Sequence, residues 1–274
     1  MTTLNDFLFP VQIIENPENT NTEHAYKVVA QIDGKEKVLN YCSDRYELVD
    51  NSEIFPKIEA ELNERNMKFS VAYHAINDAR FYAKYILEDS NLAIGSGSDI
   101  VKPMISVNHS YNGLTKYAIM FGYFRLVCSN GLVIPLEGQE ETNLSIVGKH
   151  TKEIKNSVSK MFAKMNDFFA LQNKIQRKFN VLTDRSVPNY ADRIEEVINA
   201  TKLKPSKSQL AEINAVAIDE ANTLNGGVVN DWLIYNAINA YIYKATDAKG
   251  NKSKAAPEAK AKTDKKVLSY IMAN

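Results

Sequence analysis

The apolar residues of this chain change their spacing near residue 149, and that change constrains the fold class most strongly. Between residues 26 and 135 they fall in short runs bounded by turn residues, which is typical of strands. From residue 149 onward they recur every three or four positions, which is typical of amphipathic helices. Sequential strands with short connections pair antiparallel. The sequence therefore predicts an α+β fold, with a curved antiparallel sheet and one inserted helix followed by a helical half.

The strand region begins with a predicted hairpin. Residues 26–32 and 36–42 flank Asp33-Gly34, a dipeptide that tolerates the positive φ angles of a tight turn. A helix capped by Asn51 or Ser52 is predicted next, and residues 95–98 are predicted to form a flexible loop. The remaining predicted strands cover residues 45–49, 67–76, 80–87, 101–110, 115–128 and 132–135.

The helical half opens with residues 149–179, which contain neither glycine nor proline. Their pattern predicts one long basic amphipathic helix, about 45 Å in length. Further helices are predicted over residues 190–203, from Ser206 to about residue 222, and after Asn230 or Asp231, where Trp232 and Tyr235 are expected to anchor the helix to the sheet. The predicted segments are an N-terminal arm (1–24), a β-rich core (25–148), a helical region packed on the sheet (149–246), a low-complexity linker (247–263) and a tail helix (264–274).

The charge of the chain is balanced overall but unevenly distributed. The 33 basic and 33 acidic residues cancel, yet residues 1–68 carry a net −6 and residues 149–210 a net +7. A basic segment of this kind either meets a polyanion or pairs with acidic segments of the same or another subunit. It is also compatible with an ordinary solvated helix face.

Several function classes lack their sequence motifs. The chain contains no GxxxxGK[ST], GxSxG, HExxH or EF-hand pattern, and its four histidines and two cysteines have no metal-ligand spacing. We therefore predict no cofactor, no metal and no catalytic residue. The apolar runs are too short for a membrane span and the N-terminus lacks a signal-peptide pattern, so a cytoplasmic location is expected.

Candidate binding residues lie at the junction of the two halves. Single-stranded nucleic acid is held by basic grooves with aromatic platforms, and both residue types are present here. For any individual aromatic residue of the strands, packing in the core is favoured over base stacking. The residues predicted to contact nucleic acid are Arg125, Lys149, His150, Lys152, Lys155, Lys160, Lys164 and Tyr123.

Four blocks, in order along the chain, carry a family resemblance. They are residues 46–51 (YELVDN), the Arg125…Cys128-Ser129-Asn130-Gly131-Leu132 block, Lys149-His150-Thr151, and Trp232…Tyr235-Asn236-Ala237. Over roughly residues 40–245 the chain resembles the phage- and plasmid-borne family of domain of unknown function 932. More loosely, its plan is similar to that of phage single-strand annealing proteins, which implies an oligomer that holds DNA in a basic groove.

Three hypotheses follow. The first is a phage-type protein that binds and anneals single-stranded DNA during recombination or replication, as a homo-oligomer and without nucleotide hydrolysis. The second is a phage structural or assembly protein whose acidic front meets the basic helix of the next subunit. The third is an enzyme with a polar site formed by Arg125, Cys128, Asn130 and His150.

Overall fold

The computed structural model describes residues 3–18, 22–76, 79–89, 91, 93–96, 99–125, 131–132, 145–148, 156–170, 172–244 and 257–274. The fold is α+β, as expected, and the strands form antiparallel sheets. No helix within these ranges is long and apolar enough to cross a membrane. The strands are β1 Val11–Glu15, β2 Tyr26–Ile32, β3 Lys35–Cys42, β4 Phe69–Ile76, β5 Arg80–Leu87, β6 Ile94–Ser96, β7 Asp99–Ser110, β8 Tyr117–Arg125, β9 Gly131–Leu132 and β10 Ser145–Gly148. The helices are α1 Phe55–Glu64, α2 Ser157–Ala163, α3 Met165–Ala170, α4 Gln172–Asp184, α5 Tyr190–Thr201, α6 Lys207–Leu224, α7 Asp231–Lys244 and α8 Pro257–Ala273.

The chain divides into two compact units that do not follow the predicted boundary at residue 149. The first contains residues 1–91, 103–122 and 140–169, and the second contains residues 92–102, 123–139 and 170–274. Each unit therefore contains a segment that was predicted to belong to the other. The hairpin of β6 and the start of β7 belongs to the unit with the later helices, and α2 belongs to the unit with the earlier strands.

The first sheet is an open, three-stranded antiparallel sheet in the order β1-β2-β3. Asp33 and Gly34 have φ angles of 51° and 72°, which confirms the predicted hairpin turn. The prediction of a loose N-terminal arm is wrong, because β1 pairs with β2 and Phe7 is fully buried against Phe55 and Phe81.

The second sheet has the strand order β10-β8-β7-β5-β4, with β6 paired to β7 and β9 paired to β8. The strands predicted over residues 67–76, 80–87, 101–110 and 115–128 correspond to β4, β5, β7 and β8. Residues 45–49 form no strand. Gly95 and Ser96 lie in β6 instead of a loop, since they pair with Ile100 and Asp99.

The core of the first unit lies on one face of this sheet. The predicted inserted helix is α1, and Ile54, Phe55, Ile58 and Leu62 at its start and along one side of it are buried. Asp50, one residue before the predicted cap, accepts the Ser52 N–H and starts a 3-10 turn that leads into α1. Helix α2 is held to the same face by a hydrogen bond between the hydroxyl groups of Tyr117 and Ser157, 2.5 Å apart.

The single long basic helix predicted over residues 149–179 is not formed. Residues 149–155 and 171 lie outside the described residues, and within the described remainder α2, α3 and the first part of α4 are separate helices. Helix α2 ends at Lys164, whose N–H bonds to the Met161 carbonyl. The apolar stripe serves two separate cores, because Val158 and Met161 are buried in the first unit and Ile175 and Phe179 in the second. The uniform spacing of the apolar residues therefore predicted correctly that these residues are helical, but it did not predict the interruption at Lys164.

The second unit is built around α7, which is buried on nearly all sides. The Asn230 side chain accepts the Leu233 N–H, as the predicted cap requires. Helix α8 packs on α5 and α7 and buries Val267, Leu268 and Ile271. It begins at Pro257, so residues 257–263 of the predicted linker are helical.

Candidate functional site

The structure describes four of the eight residues that were predicted to contact nucleic acid. Lys160 is exposed on α2, and Lys164 is half-buried directly after that helix. Lys149, His150, Lys152 and Lys155 lie outside the described residues. Of the predicted continuous row of lysines on one helix, the described chain therefore shows Lys160 on α2 and Lys164 directly after it.

Tyr123 and Arg125 lie on β8, at the end of the long aromatic strand. Tyr123 is only 1% exposed, and burial raises the pKa of its hydroxyl. A base cannot stack on a ring in that position, so the role predicted for Tyr123 is wrong. The backbone of Arg125 is part of β8, and its side chain lies outside the described part of the structure.

Most aromatic residues of the strands are in the core. Burial raises the pKa of the Tyr117 hydroxyl to about 12, and the Tyr85 hydroxyl meets that of Tyr73 at 3.3 Å. Strand packing accounts for their number better than a row of base-stacking platforms does. The residues of this set that are at most 2% exposed are Phe81, Tyr85, Tyr111, Tyr117, Phe121 and Tyr123.

One strand carries a different pattern on the face opposite the core. Along β5, Phe81, Ala83, Tyr85 and Leu87 are buried, and the alternate positions are half-buried. Those alternate positions hold Arg80, Tyr82, Lys84 and Ile86. Since successive side chains of a strand point to opposite faces, Arg80, Tyr82 and Lys84 form a stripe on the face that α1 does not cover. We call this set the β5 stripe.

Polar side chains hold five of the eight positions that β4 and β7 pair with this face of β5, and two of them, Asn108 and Ser110, are buried. Tyr82 pairs with Asn108 of β7 and with His74 of β4, and Lys84 pairs with Ser106. The Tyr82 and His74 rings lie 6.2 Å apart, tilted by 34°, and His74 is exposed. None of the twelve positions that β4, β5 and β7 pair on this face holds a carboxylate. The face therefore combines two cations with an aromatic pair and hydroxyl and amide groups.

The electrostatics of the β5 stripe suit an anionic ligand. Within the described residues, the buried Nε of Arg80 has no hydrogen-bond partner, and a buried unsatisfied donor is costly. Burial lowers the pKa of the Lys84 ammonium group, because removal from water disfavours the charged form. A phosphate held beside Lys84 would favour the charged form of its ammonium group. Tyr82 is held in place by a 3.1 Å hydrogen bond between its hydroxyl and that of Thr115.

Comparison with known proteins identifies the family. The family model described as "Domain of unknown function (DUF932)" matches residues 38–266, which is most of the chain. The chain belongs to the DUF932 family. No curated protein and no solved structure matched the chain. The match confirms the predicted family resemblance and extends it beyond residue 245 into α8.

In this DUF932 chain, sequence reasoning overlooked the β5 stripe. The signal was present, because residues 80–87 alternate apolar and polar or cationic side chains within a predicted strand. The lysines after residue 149 are more concentrated than the cations of β5, so the sequence pattern favoured the helix as the binding element. Of the residues that the enzyme hypothesis requires, Cys128, Asn130 and His150 lie outside the described residues. The DUF932 chain contains no cluster of three or more His, Cys, Asp or Glu suited to a metal within its described ranges.

Proposed function

We propose that this DUF932 chain binds single-stranded nucleic acid, DNA foremost, on the β5 stripe and without nucleotide hydrolysis. The observation that carries the proposal is the spacing of Arg80, Tyr82 and Lys84 on one sheet face, with the aromatic ring between the two cations. Each cation can neutralise a phosphate, and the ring lies where a base between those phosphates can stack.

The surroundings of the β5 stripe support a single strand over a duplex. A base must be unpaired and unstacked to lie against Tyr82 or His74, and each such contact contributes about 1–3 kcal/mol. The hydroxyl of Ser106 is on the same face. A duplex presents only its phosphates to such a surface, so it would gain the electrostatic part alone.

The family resemblance suggests the setting of this activity. The proposed role is in recombination or replication of a phage or plasmid, in the host cytoplasm, and as a homo-oligomer that anneals complementary strands. Because the sequence has no GxxxxGK[ST] motif, annealing should proceed without ATP. Neutralised phosphates let two strands approach with their bases exposed.

The test is binding of the full chain to a fluorescent oligothymidylate across a salt series. In the Arg80→Gln/Lys84→Gln variant, affinity should fall and the slope of log affinity against log salt should decrease by about 1.4, or about 0.7 for each lost phosphate contact. The Lys160→Gln/Lys164→Gln variant removes one cation from α2 and one directly after it, and serves as the matched control, with the wild-type slope expected.

Two results would contradict the proposal. An unchanged slope in the Arg80→Gln/Lys84→Gln variant, with its thermal unfolding preserved, would exclude the β5 stripe as the phosphate-binding face. A chain that forms a defined oligomer by mass photometry but binds no oligonucleotide at low salt would favour the assembly role.

A further inference from the structure

The second unit contains a cleft that is separate from the β5 stripe. Its volume is about 450 Å³, within the range of small-molecule sites. Helix α4 forms one wall, the β6–β7 hairpin another, and the C-terminal end of α6 and the start of α7 complete it. All of its lining residues belong to the second unit.

Two aromatic rings form the inner end of the cleft. The centroids of Phe179 and Trp232 lie 4.8 Å apart at an interplanar angle of 66°. The indole N–H of Trp232 donates to the Asp99 carboxylate at 2.9 Å. The carboxylate is thereby fixed beside an apolar surface.

The charge of the cleft is entirely negative. Asp99 and Asp184 line it, and among the lining residues there is no lysine, arginine or histidine. Asp184 is exposed, and within the described part of the chain its carboxylate accepts no hydrogen bond and forms no ion pair. This carboxylate is available to a ligand from solvent.

The neutral polar groups of the cleft are largely engaged with each other. Gln176 Nε2 donates to Asn180 Oδ1 at 2.8 Å, and Asn230 donates to the Thr183 carbonyl while it accepts the Leu233 N–H. Few neutral donors therefore remain for an uncharged polyol. A ligand that itself supplies donors and positive charge fits better. The described residues offer no cluster of three metal-binding side chains, which favours an organic cation over a metal ion.

We propose that this cleft binds an organic amine, whose ammonium group pairs with the carboxylates of Asp99 and Asp184. The aliphatic part of the amine would lie against the Phe179 ring, which packs on the buried Trp232, and a ring beside a carboxylate is a common arrangement for holding cations. A free polyamine and the side chain of a lysine present the same chemistry. The inference is independent of nucleic-acid binding, since the cleft repels phosphate.

Trp232 is the only tryptophan of the chain, so selectively excited tryptophan emission reports on this cleft, whereas total intrinsic fluorescence also includes the 14 tyrosines. We would titrate the full chain with spermidine and, separately, with lysine blocked at its amino and carboxyl ends, with potassium chloride at matched ionic strength as the reference. A saturable change with either amine, absent with the salt, is expected. Tighter binding of spermidine would identify the ligand as a free polyamine, and tighter binding of the blocked lysine would identify it as a lysine side chain.

The variant Asp184→Asn should weaken amine binding by about tenfold or more, because a charged partner is replaced by a neutral one. Asp219→Asn removes an equally exposed carboxylate on α6 outside the cleft, and should bind as the wild type does. The proposal is overturned if neither amine gives a saturable change, if both variants weaken binding equally, or if magnesium chloride gives the same response as the amines.

Discussion

Among the described carboxyl groups, that of Asp264 has a pKa far above its ordinary value. It is fully buried in α8, and its Oδ1 accepts hydrogen bonds from Tyr235 and Asn239, each at 2.8 Å. Within the described residues its Oδ2 has no partner. Burial raises the pKa of Asp264 to about 7 and outweighs the two hydrogen bonds, which act in the opposite direction.

This pKa predicts a pH-dependent stability. The folded-state pKa lies above the unfolded value of 3.8, so the folded protein holds the proton more tightly than the unfolded one. The free energy of unfolding should therefore fall as the pH rises from about 4 to about 7, by an amount on the order of a few kcal/mol. In Asp264→Asn that decline should disappear, as measured by urea unfolding across this pH range. Retention of the wild-type pH dependence in Asp264→Asn would contradict the assignment, and Asp219→Asn provides the control.

Gly95 is required by both backbone angle and space. Its φ is +95°, and a Cβ at this position would lie 2.2 Å from the Asp99 carbonyl oxygen. Gly34 also has a positive φ, of +72°, but no atom within 4 Å of an added Cβ. Thermal unfolding should show that Gly95→Ala destabilises the protein more than Gly34→Ala, whose cost is limited to backbone strain of about 1 kcal/mol. Equal shifts in melting temperature would contradict this reading.

Residue burial was only partly predictable from the sequence. Alternation in residues 80–87 identifies which β5 side chains share a face, but a pattern cannot tell that Tyr123 of the next aromatic strand is inaccessible. That depends on what covers the strand, which is a tertiary property. The same limit applies to Asp264, because a charged residue in an Ala/Lys-rich segment predicts solvent exposure.

For the helices, local capping chemistry was the most reliable signal. Ser206 accepts the Gln209 N–H, and Gln209 Oε1 accepts the Ser206 N–H, which completes a capping box at the start of α6. Ser206→Ala should lower the free energy of unfolding by about 1 kcal/mol, as measured by urea denaturation. Ser206→Asp keeps the acceptor and should remain close to the wild type. A Ser206→Asp variant as unstable as Ser206→Ala would indicate that the cap is not the cause.

Breaks between helices were far less predictable than their caps. Residues 156–170 contain no proline or glycine to mark the break between α2 and α3. The helix is interrupted at Lys164, and the buried apolar side chains of residues 158–179 are divided between the cores of the two units. The periodicity of apolar residues predicts which residues are buried, but it does not predict in which of the two cores they are buried.

At the scale of the whole molecule, the order of strands and then helices was predictable, but the composition of the two units was not. The second unit takes residues 92–102 from the middle of the strand region, and Asp99 there accepts the indole N–H of Trp232. No local pattern reports a pairing across 133 residues.

Because the second unit includes residues 92–102, we predict that the helices after residue 170 do not reach their native packing without that segment. In a fragment of residues 170–274, Trp232 loses the Asp99 carboxylate and the β6–β7 hairpin, so its fluorescence emission should shift to longer wavelength relative to the full chain. A synthetic peptide of residues 92–102 should reverse the shift, and a peptide of the same composition in scrambled order should not. Native-like emission from the fragment alone would contradict the prediction.

Because Asp99 precedes Trp232 by 133 residues, the ribosome synthesises the β6–β7 hairpin well before the residue that it contacts. The hairpin emerges 133 residues before the tryptophan that binds it. At about 5–20 residues per second, the nascent chain carries this hairpin for about 7–27 seconds without its partner. Incompletely folded chains with exposed strand edges are prone to aggregation, and slower translation of the intervening codons would lengthen that exposure. Translation speed over the middle of the message should therefore influence how much of this protein reaches its native state.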